Sequence, residues 1–274
     1  MTAATLEVTI LGCGSSGGVP RADGNWGVCD PNDERNRRSR CSLMVRRPSQ
    51  ETPDKWTTIV VDASPEFRIQ TAAAGAGRLD ALLMTHDHAD QAHGIDDIRA
   101  FAARQRARIP CHVDEATAET MRKRFGYVFF GEKMYPPIAD LVPIPPHGMA
   151  WSVAGPSGAI PAITFDQDHG EVRSVGYRFG DVAYSSDVLN LDEAAFAAMQ
   201  GLDVWIVDAL RYTPHPTHAH VERTLAWIER VKPKRAILTN MHIDLDYTEL
   251  SARLPAGVVA AVDGMRIESE LGSE

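Results

Sequence analysis

Residues 85–94, THDHADQAHG, gather His86, Asp87, His88, Asp90, Gln91 and His93 directly after the apolar run 81–84. Imidazole nitrogens and carboxylate oxygens are the groups that hold zinc, manganese or iron(II). Two histidines one residue apart on an extended or turning backbone point to the same side, so His86 and His88 can share one ion. Asp90, at the head of a predicted helix, can reach a second ion nearby. A polar loop that merely happens to be histidine-rich is the plain alternative. Its position argues against that, because the run before it reads as a buried strand and α/β proteins place their sites at strand ends.

Further candidate ligands fall at similar places. His169 lies in the turn DQDHGEV, Asp187 follows the run 182–185, and His242 stands close to the end of the run 235–239. His215, His218 and His220 form HPTHAH where a helix is expected to start with Thr217 as its cap. The helix macrodipole disfavours imidazolium there, so His218 is expected to be neutral. Capping or solvent exposure suits His215 and His220. Residues 12–20, GCGSSGGVP, allow positive φ and close approach of backbone to a ligand. No GK[ST] follows, so this is not a P-loop; it reads as a plain turn or as a phosphate-contacting loop.

These residues need a scaffold that brings distant strand ends together. Leu6, Val8 and Ile10 alternate with polar residues as a half-buried strand does. Further strands are predicted over 41–45, 57–61, 79–84, 109–113, 160–166, 172–179, 182–185, 203–207, 235–239, 258–262 and 265–268. One helix is predicted to start with Ser64 as cap and Pro65 at its first position, and to stop at Gly75 or Gly77. Others span 94–108, 115–125, 191–199 and 247–254, and the one beginning at Thr217 carries Val221, Leu225, Ile228 and Val231 on one face. The aromatic stretch 127–135 reads as a packed turn or flap, with a base-stacking wall as the alternative. Residues 23–40, with Arg35, Arg37, Arg38 and Arg40, read as a solvated loop. Strand blocks with helices between them predict an α/β architecture: two mixed β-sheets packed together with helices outside, in a single domain spanning 1–274.

Composition narrows the function. With 28 Lys+Arg against 37 Asp+Glu, the formal charge is −9. Backbone binding of nucleic acid depends on clustered cations, so no stable nucleic-acid complex is expected. Cys13, Cys29, Cys41 and Cys111 are scattered without a CxxC, as reduced thiols of a cytoplasmic protein are. The opening MTAATLEVTI has neither a basic n-region nor a long apolar run, so no signal peptide and no membrane partner are expected. A homodimer is left open.

Residues 86–91 resemble the HxHxDH signature of the metallo-β-lactamase superfamily, with Gln91 where that pattern has its last histidine. Within it the chain, from about Leu6 to Glu268, is most similar to the phosphoribosyl 1,2-cyclic phosphate phosphodiesterase group of the carbon–phosphorus lyase pathway. The similarity rests on LGCGSSGGVP, THDHAD, YSSD ending at Asp187, VDALRYTPHPTHAH, and LTNMH followed by VDGMRIE. That group's Cys-rich zinc knuckle is absent, since only Cys29 stands in the corresponding WGVCDP.

The resemblance implies a metallo-β-lactamase-like αββα sandwich and two divalent ions, zinc and/or manganese. It implies that His86, His88 and His169 bind the first ion, that Asp187 bridges, and that Asp90 and His242 bind the second. Gln91, an amide oxygen in place of an imidazole, makes that second site the weaker. Asp62 is implied to be a buried support for the metal loop. His218 is implied to contact the reacting phosphoryl group or to protonate a leaving alkoxide, with Asp90 and Asp187 beside it and Arg211 and Ser15 on the substrate. The function expected is hydrolysis of a small cyclic phosphate or nucleotide diester by metal-activated hydroxide. The rivals are an RNA-processing endonuclease of the same superfamily, which needs an RNA-binding arm not visible here, and a lactonase or thioester hydrolase, which leaves His218 and the arginines without a role. A nucleotide-binding or cofactor-biosynthesis accessory protein with a degenerate second metal site is the third.

Overall fold

The computed structural model describes residues 5–52 and 54–271. The first four residues of the opening MTAATLEVTI, and Pro53 between the strands predicted over 41–45 and 57–61, lie outside them. Among the described residues fourteen strands form two sheets of seven. The first contains β1 (Thr5–Gly12), β2 (Ser42–Pro48), β3 (Trp56–Val61), β4 (Ala81–Leu83), β5 (Ile109–Val113) and β6 (Ala139–Pro143), with the last strand of the chain, β14 (Met265–Glu270), beside β1. The second runs β7 (Ala150–Val153), β8 (Ile160–His169), β9 (Val172–Phe179), β10 (Val182–Ser185), β11 (Val204–Asp208), β12 (Arg235–Thr239) and β13 (Val258–Ala260). Each sheet is antiparallel at one side and parallel at the other, the parallel halves being β3 to β6 and β10 to β13.

Inward residues of both sheets make one core, from Val8, Ile10, Leu43, Val61 and Leu83 on one side to Phe165, Tyr177, Phe179, Trp205 and Leu238 on the other. The opposite face of the first sheet is covered by α1 (Phe67–Ala73), α2 (Ala89–Ala92), α3 (Arg99–Gln105), α4 (Glu115–Arg124) and α5 (Gly126–Phe130), which bury Met44, Val60, Leu82 and Met84 against Phe67, Ile98 and Met121. On the second sheet lie α6 (Glu193–Ala198), α7 (Val221–Val231) and α8 (Tyr247–Arg253). This is the expected αββα sandwich. Among the described residues no helix is long and apolar enough to cross a membrane, and the four cysteines are buried free thiols.

Several local expectations are corrected. β8 runs on to His169, so that histidine closes a strand rather than sitting in the turn. β6 and β7 were not expected, because the proline-rich LVPIPPHG between them masks their short alternation. Ser64 does not cap α1; its Oγ accepts from the Glu66 N–H in the turn before the helix starts at Phe67. The predicted helix over 94–108 is a 3-10 turn followed by α3, which ends on left-handed Arg106. α7 starts after His220, not at Thr217. In the aromatic stretch only Val128 and Phe129 are buried, while Phe130, Met134 and Tyr135 face solvent.

Arg38 overturns the reading of residues 23–40 as merely solvated. Its side chain is buried, and its guanidinium donates to the carbonyls of Leu245 at 2.7 Å and His242 at 3.2 Å and to Asn36 Oδ1 at 3.1 Å. Asn36 in turn donates to Asp246, the N-cap of α8, at 2.7 Å. The loop carrying His242 is thus clamped from the segment where the zinc knuckle was absent. Hydrogen bonds to a charged group contribute roughly 1.5–3 kcal/mol each, with losses that do not simply add. Arg38→Met is therefore expected to lower the unfolding free energy by about 3 kcal/mol in urea titration. A loss under about 0.5 kcal/mol would show that the clamp is dispensable.

Candidate metal centre

The centre lies where strand ends of both sheets meet. The Val175 N–H donates to the Thr85 carbonyl at 2.9 Å and Tyr177 Oη to the Met84 carbonyl at 2.7 Å, stitching β9 to the segment that leaves β4. Asp62, just past β3, is fully buried and accepts from the Thr85 N–H at 2.7 Å and Thr85 Oγ–H at 2.9 Å. With its hydroxyl proton committed to Asp62, Thr85 Oγ accepts from His86 Nδ1–H at 3.0 Å. That fixes the tautomer: His86 Nε2 carries the lone pair, and it is buried without a partner. His169 is fixed the same way, its Nδ1–H donating to the Thr217 carbonyl at 2.7 Å, so that its Nε2 carries the lone pair, 3.4 Å from His88 Nδ1.

His88, more exposed, completes the group. Its ring centroid is 4.4 Å from that of His86 and 5.1 Å from that of His169. Ligand atoms of His86, His88 and His169 lie within 4.8 Å of one another, as do those of His169, Asp187 and His218. Burial, reinforced by the neighbouring imidazoles, holds His86 well below the usual histidine range and His169 at about 4. Imidazoles turned to one point, with His86 Nε2 buried and unpartnered and a carboxyl group alongside, are the donor set of a divalent cation.

Asp187 enters from a left-handed backbone, φ 53°, just beyond β10. Its Oδ1 stands 3.8 Å from His169 Nε2 and 3.9 Å from His218 Nε2. Burial raises its carboxyl to about 8 against the opposing pull of His218, with Asp90 adding to the rise. Gln91, fully buried on α2, donates from Nε2 to Asp187 Oδ2 at 3.0 Å and to Asp90 Oδ2 at 3.4 Å. Asp90 itself is half-buried and belongs to neither convergent set.

His218 departs from the expectation of neutrality. Burial alone would lower its pKa, but Asp208, supported by Asp187 and Asp90, carries it up to about 9. Asp208 closes β11 with no exposed surface and accepts from His218 Nδ1–H at 2.8 Å and from the Val188 N–H at 3.1 Å. The macrodipole argument fails because His218 precedes α7 and answers to a carboxylate from the strand behind it. Nothing but the aspartate ending β11 signalled this pairing in the sequence, and Asp208 was not singled out as functional.

Other sequence candidates stand outside the two convergent sets. His242 belongs to neither convergent set; its Nε2 accepts from the Arg21 guanidinium and its Nδ1 is 3.0 Å from Asp244 Oδ2. His93 packs edge-on against Phe125. Arg211 donates to the carbonyls of Thr213 and Pro214, bracing the loop before His218. Ser15 is buried, and it is Ser16 and Gly17 that line a cavity of about 630 Å³ together with Arg21, Arg40 and Asp90.

Two outcomes follow from this geometry. His88→Ala is expected to weaken metal binding by roughly 100-fold or more with the fold intact, measured by competition against a chelating dye. Unchanged affinity would mean that the ion sits elsewhere. By NMR titration of chelator-treated protein, His218 is expected to stay charged until the pH passes about 9. A raised folded pKa means that its contribution to stability is present below the ordinary histidine value and is lost as pH rises through the folded one. Asp208→Asn should bring the titration down by about two units or more; a wild-type value below 7 would refute the pairing.

Comparison with known proteins bears on the fold that carries these residues. The pattern of the beta-lactamase superfamily domain matches residues 57–243. The crystal structure of a diphosphatase of the PhnP family is 32% identical, covers 97% of this chain and 98% of its own, and superposes with a TM-score of 0.84. Zinc-bound PqqB from Methylobacterium extorquens shares the fold at 16% identity, with 95% of this chain and 99% of its own covered and a TM-score of 0.73. Human tRNase Z, short form, does so at 14% identity and a TM-score of 0.64 over 95% of this chain and 98% of its own. An octanoyltransferase of Porphyromonas gingivalis (strain ATCC BAA-308 / W83) is 28% identical over 265 residues, 95% of this chain, which spans about half (51%) of that relative's length. By its matched domain, its fold and its histidine cluster, the chain belongs to the metallo-β-lactamase superfamily.

Proposed function

We propose that this chain is a metal-dependent phosphodiesterase acting on a small cyclic phosphate or nucleotide diester. The observation that carries the reading is His218, held charged by Asp208 with its Nε2 turned towards the group formed by His169 and Asp187. A positioned imidazolium beside a cation site suits a reaction that both gathers negative charge and expels an alkoxide. The superfamily and its phosphate-cleaving relative support hydrolysis. The cavity beside Asp90, with Arg21 and Arg40 on its wall, supports a small anionic substrate.

His86, His88, His169 and Asp187 would hold a divalent ion. Bound there, such an ion supplies Lewis acidity, neutralising a phosphodiester and lowering the pKa of water. The chain's own residues do the rest. Thr85 and the Thr217 carbonyl keep His86 and His169 in the tautomers that aim Nε2 inward. His218, with Nδ1–H committed to Asp208, presents Nε2–H, which donates to a phosphoryl oxygen as charge builds. As the oxygen of water bonds to phosphorus and the P–O bond to the leaving group breaks, that proton passes to the leaving alkoxide. The proton lost by the water goes to solvent, from which the imidazolium is restored. Buried Asp208 keeps the imidazolium favoured until that transfer.

The diphosphatase likeness favours one second reading, cleavage of a diphosphate, whose phosphate leaving group needs little protonation. Leaving-group dependence separates the two. His218→Ala is expected to slow hydrolysis of a cyclic or alkyl diester by roughly 100- to 10,000-fold and that of a nitrophenyl diester by about 10-fold or less. Equal losses on both would deny His218 the role of acid. Turnover of diphosphates alone, indifferent to His218, would favour the second reading.

A further inference from the structure

The residues implied for a second ion do not assemble as an ion site. That set was Asp90, His242 and Gln91, with Asp187 bridging. The two convergent ligand groups among the described residues draw on His86, His88, His169, Asp187 and His218 and contain neither Asp90 nor His242. The carboxylates of Asp187 and Asp90 and the Nε2 of His242 are engaged instead by N–H groups of the protein itself. Gln91 turns its amide nitrogen, not its oxygen, to Asp187 Oδ2 and Asp90 Oδ2. The choice of amide face follows from chemistry, since an amide oxygen between two carboxylates would meet only repulsion. Its Oε1 is left buried and unpartnered on the far side.

His242 is engaged from the opposite direction. A guanidinium carries only donors and stays charged, so in the Arg21–His242 contact Arg21 donates and His242 Nε2 gives up its lone pair. With Nε2 accepting, the ring proton of neutral His242 sits on Nδ1, which is buried 3.0 Å from Asp244 Oδ2 without a hydrogen bond, so this tautomer offers no lone pair to an ion. Arg21 and Asp90 also line the same cavity, so a fixed positive charge already stands on the side where a second cation would have to bind.

We infer that this chain holds one catalytic metal ion, and that the Arg21 guanidinium and the Gln91 amide together take the place of the second. Gln91 supplies the hydrogen bonds that an ion would otherwise make to Asp187 and Asp90, and Arg21 supplies positive charge beside them. Arg21 Nε remains buried without a partner, a donor left over for an anionic substrate. The inference rests on the metal-dependent reading only through the His86 cluster, and its test counts ions without requiring turnover.

Metal is counted by mass spectrometry on the full chain after equilibration with excess zinc(II) or, separately, manganese(II) and removal of free ion. About one ion per chain is expected for the wild type with either metal, and about two for the Arg21→Ala, Gln91→His double variant. His242→Ala in the otherwise native chain is expected to shift the affinity of the single ion by less than about 2-fold. A wild type that retains two ions overturns the inference, as does a folded double variant that stays at one, or a His242→Ala chain that loses metal. Should the double variant not fold, calorimetric titration of the wild type decides alone: one binding event is expected, and two stoichiometric events overturn the inference.

Discussion

Imidazoles packed together away from water, with no carboxylate committed to them as Asp208 is to His218, are held neutral, and a neutral imidazole whose proton is already committed has nothing left to offer but a lone pair. That constraint organises this molecule. His86 commits its proton to Thr85 and His169 to the Thr217 carbonyl, so their free nitrogens, with His88, converge on one point. A buried polar atom without a partner costs about 1–3 kcal/mol, and His86 Nε2 is such an atom. Ligand binding recovers that cost, so the site works as a cation receptor built into the fold.

Neither sheet could build the site alone. β4 delivers His86 and His88, while β8 and β10 deliver His169 and Asp187. Backbone strain concentrates at the same place: Asp62, Asp187 and Asn240 take positive φ at the ends of β3, β10 and β12. A left-handed backbone costs such residues about 1 kcal/mol each. Asp62 offsets it by anchoring Thr85, and Asp187 by accepting from Gln91. Asn240 holds its side-chain nitrogen 3.2 Å from His218 Nδ1. Polar residues that tolerate this conformation are what allow strands to turn sharply and present side chains over the sheet edge.

Much of this was legible in the sequence because its signals are local. Alternation in β1 and the apolar run into residues 85–94 announce strands, and one-residue spacing announces that His86 and His88 share a face. What escaped was long-range. The charge of His218 depends on Asp208, ten residues earlier in the chain but on the neighbouring strand. The burial of Arg38 depends on carbonyls more than 200 positions away, and an arginine run with no visible partner reads as solvated. The fate of His242 depends on Arg21, at the far end of the chain from it. β6 and β7 were lost because proline hides a short strand's alternation.

The imidazoles of both sheets and Asp187 are proposed to surround one cation. X-ray absorption at the zinc edge of reconstituted protein tests it most directly, because imidazole scatters with a recognisable multiple-scattering pattern. A first shell of nitrogen and oxygen only is expected, at about 2.0–2.1 Å, with imidazole dominant. A sulfur shell near 2.3 Å, or a shell of oxygens without imidazole, would contradict it.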